Sequence, residues 1–269
     1  MSAGLPLLQL SAALIGLCGA LTSAQRLSDM ANWRDANALG WELQRLRRRT
    51  LTRSHAAALV FAQPGLTILV AAQLVASLAL IARPGLAAMI ALLVCFLVAA
   101  LLLALRSSAD GGDKIVTIAT TGALLQAAGV WLDQPRLALA GVLWAGGQLT
   151  IAYFASGASK VLLDPWRRGE ALSAALTSFM FGHRWTAPLV RNAKVTRWLA
   201  WAIILLELAF PLALLAPTSW LCTVLAGFFL FHLAIAVVMG LNHYPWAFLA
   251  TYPSVVLLGQ WLRSVLGLT

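Results

Sequence analysis

An all-α bundle inside a membrane is the fold class this sequence predicts, and three observations predict it. Of the 269 residues, 61% are hydrophobic and only 10% are charged, with a mean hydropathy of +0.85. A water-soluble chain of this length needs a polar surface that such a composition cannot supply. The apolar residues also fall in runs close to the ~20 needed to cross a hydrocarbon core. These runs lack the two-residue alternation of a porin-like barrel. In hydrocarbon the backbone of such a run must bond within itself, which means helices. Thirdly, the net charge of +10 comes from basic residues gathered between the runs, a pattern of membrane topology rather than of nucleic-acid binding.

Eight segments follow, over residues 2–24, 56–82, 85–105, 115–132, 137–162, 197–216, 219–241 and 246–262. The first lacks the basic start of a signal peptide, although Ser23-Ala24 would serve as a cleavage end, and it is read as a retained helix. Pro84-Gly85 marks a tight turn between the second and third. The stretch Asp110-Gly111-Gly112-Asp113 precedes the fourth, Pro217-Thr218-Ser219 separates the sixth from the seventh, and Tyr244-Pro245 breaks the seventh from the eighth. The whole chain, 1–269, reads as a single transmembrane domain.

Two connections are long and basic. Residues 25–55 carry Arg26, Arg34, Arg45, Arg47, Arg48, Arg49 and Arg53, and residues 163–196 carry Arg167, Arg168, Arg184, Arg191 and Lys194. Alternating helices put both on one face with Arg106 and Lys114, leaving Arg83, Arg136 and Arg263 on the other. The positive-inside rule then predicts cytoplasmic long loops, outer termini and a place in the cell membrane. In the second loop, Leu172, Leu176 and Phe179 recur at helical spacing, with Gly182 as a stop and His183-Arg184 beyond. This predicts an amphipathic helix in the interface plane. Trp131, Trp166, Trp185, Trp220 and Trp261 lie near segment ends, as an aromatic belt requires. Cys18, Cys95 and Cys222 lie inside apolar runs without paired spacing and read as small buried hydrophobes. No glycine-rich nucleotide loop, HExxH or GxSxG motif occurs, and no metal site is expected.

An ionisable group within a membrane segment is costly and marks a functional candidate. Lys160 ends the fifth segment, on a stripe with Gly146, Leu149, Tyr153 and Gly157. The small residues Gly146, Ser156 and Gly157 let a second helix come close, so the stripe turns Lys160 toward the bundle. A desolvated lysine there would serve as a general base; a lysine snorkelling to the headgroups is the structural alternative. Glu207 lies mid-way along the sixth segment, and Pro211, four residues on, leaves the carbonyl of 207 without its helical hydrogen bond. Glu207 must be paired or protonated, as a partner of Lys160, as a donor to a substrate, or as an inter-helix hydrogen bond. His232 lies in the seventh segment, as a working group or a satisfied core residue. His243 reads as interfacial, and His55 and His183 as loop residues.

Four stretches carry a family resemblance. "YFASGASKVLLDPWRRGEAL" has Tyr-Phe-x-x-Gly-x-x-Lys followed by a tryptophan and a glycine; "ADGGDKI" leads to "WLD"; "ELAFPL" joins glutamate and proline on one helix; and "FFLFHLAIAVVMGLNHYPWAFLATYP" holds the histidine. Their order and content resemble the horizontally transferred transmembrane domain (HTTM) family, whose best-known member is the vitamin K-dependent gamma-carboxylase, over residues 56–262. The resemblance implies a membrane enzyme using a reduced, vitamin K-like quinone, with a peptide or protein substrate. Lys160 stands where the family's lysine acts as the base on the reduced quinone. Glu207 and His232 would support it, and Tyr153, Gly157 and Trp166 would line or close the cavity. Two departures stand out: Ser159 replaces the first of two adjacent lysines, and the spacing from Lys160 to Trp166 is one residue longer. A non-catalytic membrane partner, chaperone or immunity protein on the same scaffold is the second reading, and a transporter the third.

Overall fold

The computed structural model describes residues 4–33, 41, 46, 55–82, 86–105, 111–178 and 186–268. Every long element among them is a helix, and no strand occurs among the described residues. The chain forms two compact units, residues 1–141 and 142–269.

The first unit contains α1 (Gly4–Ser28), α2 (His55–Phe61), α3 (Gly65–Ala82), α4 (Leu86–Leu105), α5 (Gly111–Trp131) and the start of α6 (Pro135–Leu162). In its pairing of α1 on α3, Gly16 and Gly19 face Ser77; a Cβ at Gly16 would lie 2.6 Å from the Ser77 carbonyl oxygen. Small side chains at such a contact let helices approach in a solvent that gives no hydrophobic driving force between them. Arg26, at the end of α1, donates to Asp113 of α5 at 3.1 Å and to Gln73 of α3 at 3.4 Å. Arg26 is thus an inter-helix staple rather than only a loop charge.

The second unit continues α6 and adds α7 (Asp164–Arg167), α8 (Glu170–Thr177), α9 (Ala187–Arg191), α10 (Ala193–Ala213), α11 (Thr218–Met239), α12 (Tyr244–Leu249) and α13 (Tyr252–Leu266). Asn192 caps α10, its side chain accepting from the N–H groups of Lys194 and Val195. Gly240, in the left-handed region, closes α11. Arg263 of α13 is buried and donates to the Ala216 carbonyl and to Thr218 Oγ1, tying down the α10–α11 connection.

Among the described residues, five helices are long and apolar enough to cross a membrane: α1 from Pro6, α3, α6, α10 and α11. The chain is therefore an all-helical, multi-pass membrane protein by its architecture. An apolar exterior agrees with this, since Ile68, Val75, Leu206, Leu212, Leu230 and Val237 all face outward. In hydrocarbon, an outward leucine costs nothing.

Several sequence expectations change. Residues 56–82 are interrupted near Pro64, giving α2 and α3 rather than one span. Residues 246–262 likewise divide into α12 and α13, of 6 and 15 residues. Pro253 lacks an N–H, and Thr251 Oγ1 donates back to the Phe248 carbonyl, so the helix restarts instead of continuing. The expected amphipathic helix is the eight-residue α8, ending at Thr177 with Leu176 buried; Phe179, Gly182, His183 and Arg184 lie outside the described residues, as does Trp185. Cys18 and Cys95 are buried, whereas Cys222 is exposed on α11.

Candidate functional site

The site is built on one face of α6. Side chains on a helix lean toward its N-terminus, so Lys160, near the C-terminal end of α6, reaches back into the bundle rather than out toward headgroups. Its ammonium donates to Ser156 Oγ, one turn earlier, at 2.7 Å. It also donates to both oxygens of Glu207 on α10, at 2.7 Å and 2.5 Å. The two side chains are 14% and 7% exposed, so the snorkelling alternative does not describe Lys160. The ring of Trp166, on α7, lies 5.1 Å from the ammonium, within cation–π range. All three ammonium donors are engaged.

Gly157 makes this pairing geometrically available. A Cβ there would lie 2.8 Å from the backbone nitrogen of Leu208 and 3.1 Å from Cβ of Glu207. The missing side chain brings α10 against α6 at the height where Lys160 meets Glu207. Glu207 is followed one turn later by Phe210, which packs on Tyr153 at a centroid distance of 4.5 Å.

Tyr153 lies two turns before Lys160 on the same face, about 10 Å along the axis. Its hydroxyl shares a 2.7 Å hydrogen bond with Nε2 of His232 on α11. Rings surround this pair: Phe228 at 4.5 Å and Phe248 at 5.6 Å from Tyr153, with Phe248 stacked on the imidazole at 3.6 Å. Tyr252, from α13, is an electrostatic neighbour of Tyr153, although its hydroxyl makes no hydrogen bond of normal geometry.

The six sequence candidates therefore assemble into two layers on α6. The charged layer joins Lys160, Glu207 and Trp166 past Gly157; the neutral layer joins Tyr153 and His232. Glu207 meets Lys160 directly, whereas His232 meets Tyr153. Sequence reasoning missed the hydrogen bond from Lys160 to Ser156, although the four-residue spacing carries that signal. It also missed Tyr252, for which no sequence signal stood out. His243, at the N-terminus of α12, stays outside both layers, its ring packing edge-on against Tyr244. No group of three potential metal ligands converges among the described residues.

Chemically, the charged layer sets one amine against one carboxylate where little of either side chain is exposed. The neutral layer offers hydrogen-bonding groups inside an aromatic wall. No family model, curated protein or solved structure matches the chain.

Proposed function

We propose that this chain is an HTTM-type membrane protein in which the Lys160–Glu207 couple serves a quinone-linked reaction, either as an enzyme or as a maturation factor for a peptide or protein. The supporting observation is the inward ammonium of Lys160, held on Glu207 instead of reaching the lipid surface. Moving one proton from Lys160 to Glu207 leaves a neutral amine beside a neutral carboxyl. That exchange removes two buried charges together, so a low dielectric does not oppose it. The amine then has the lone pair a general base needs. Ser156 keeps the nitrogen in place, and Trp166 covers it with an indole face. An amine bordered by an indole and apolar helix surface fits a planar, uncharged ring compound such as a reduced quinone, which when bound would supply the acidic hydroxyl. His232 and Tyr153 hold the adjoining layer in a fixed arrangement. In this reading the eight-crossing topology, cytoplasmic basic loops and interfacial α8 go together.

One observation favours a second reading. With three donors on three acceptors, Lys160 is also a complete structural staple, as suits a non-catalytic partner, chaperone or immunity protein. The test is organic extraction of the purified protein followed by mass spectrometry, for the wild type and Lys160→Ala. A quinone retained by the wild type supports the enzyme reading. No quinone in the wild type, with Lys160→Ala losing only thermal stability, supports the staple.

A further inference from the structure

At one end of the second unit, five basic residues come together from three short stretches of chain. Arg167 and Arg168 leave α7, Arg191 ends α9, and Lys194 and Arg197 lie in the first two turns of α10; all five are exposed. Backbone contacts hold the stretches together. The indole N–H of Trp201 donates to the Arg167 carbonyl at 3.1 Å. Gly169, at φ +81°, passes so close to α10 that a Cβ would lie 2.6 Å from the backbone nitrogen of Arg197. Only a glycine fits that conformation and that gap, and it carries Arg168 onto α10 beside Arg197.

The acids nearby do not balance this cluster. Asp164 pairs with Arg167, and Glu170 pairs with Arg168 at 3.0 Å. Arg191, Lys194 and Arg197 form no ion pair among the described residues. Like charges held together in this way repel, and the repulsion is relieved by an anion. The anion's setting is given by the tryptophans. Trp198 is 77% exposed, four residues after Lys194, and Trp201 follows Arg197 at the same spacing. Both indoles sit where α10 turns from charged to apolar, the position of an interfacial belt. The exposed apolar surface that continues along α10, with Leu199, Leu205 and Leu206, suits a phosphodiester attached to acyl chains, which uses the cations, the indoles and that surface together.

We propose that this face binds the headgroups of anionic phospholipids, with Arg191, Lys194 and Arg197 taking the phosphate and Trp198 and Trp201 packing at the glycerol level. The inference is independent of any chemistry at Lys160. It is tested with the full-length protein in neutral detergent micelles, titrated with phosphatidylglycerol carrying brominated chains, whose bromines quench tryptophan fluorescence, and with brominated phosphatidylcholine. Wild type should half-saturate at a much lower mole fraction of phosphatidylglycerol. Each neutralised cation should weaken this preference about fivefold, and Lys194→Gln/Arg197→Gln together about 25-fold, with the phosphatidylcholine titration unchanged. Arg136→Gln, at the other end of α6, should shift the titration by less than about twofold. Equal half-saturation by the two lipids in wild type would overturn the proposal, as would a double variant titrating like wild type. Loss of the preference on adding inorganic phosphate at equal concentration would assign the site to the free anion and overturn it too.

Discussion

Removing either partner of the Lys160–Glu207 pair should destabilise the protein by several kcal/mol, and removing both should cost less than the sum. Lys160→Met leaves the Glu207 carboxyl without a partner, buried at 7% side-chain exposure. Removing one partner of a buried pair leaves an uncompensated buried charge and costs roughly 3–5 kcal/mol. Glu207→Gln orphans the Lys160 ammonium, which is 14% exposed at the side chain, and should cost about as much. The Lys160→Met/Glu207→Gln double variant should be milder than the sum of the singles. The assay is reversible unfolding in mixed micelles with increasing dodecyl sulfate. Single-variant penalties under about 1 kcal/mol, as exposed pairs give, or strictly additive penalties in the double variant would refute a buried, mutually dependent pair.

Two further predictions use the same assay. Tyr153→Phe leaves Nε2 of His232 without its 2.7 Å partner and should cost about 1–3 kcal/mol; adding His232→Phe should recover part of that loss. Gly157→Ala places a methyl 2.8 Å from the backbone nitrogen of Leu208, which cannot rotate away. It should cost about 1–3 kcal/mol and, by parting α6 from α10, reduce the coupling energy measured between Lys160 and Glu207.

The membrane class was legible in composition alone, because no other solvent accepts this much apolar surface. The face of α6 was legible too: Gly146, Tyr153, Gly157 and Lys160 recur at helical spacing, and the structure turns Tyr153, Gly157 and Lys160 onto neighbouring helices. Lys160 stood among the alternatives for Glu207, but spacing cannot choose between them across a gap of 47 residues. Lys160 meeting Glu207, and His232 meeting Tyr153 instead of the charged pair, depend on how α6, α10 and α11 are rotated, a tertiary property. The division of residues 246–262 was half visible. Tyr244-Pro245 marks the start of α12, but apolar composition on both sides of Pro253 concealed the second break, since hydropathy averages over a turn that a single missing N–H creates. Charges gave the least. Arg26 and Arg263 read as topology markers from position alone, yet Arg26 staples α1 to α5, and Arg263 closes a helix connection. A charge at the end of an apolar segment looks the same whether it points to water or to a carbonyl.

The proposed action of Lys160 on a reduced quinone can be read from oxygen uptake when the purified protein, in lipid nanodiscs, is given a reduced naphthoquinone. Wild type should show quinol-dependent oxygen uptake, and a Lys160→Met variant that keeps the wild-type helix content and still elutes as a folded species should lose it. Uptake by that folded variant at the wild-type rate, or none by wild type above empty nanodiscs, would contradict that action of Lys160.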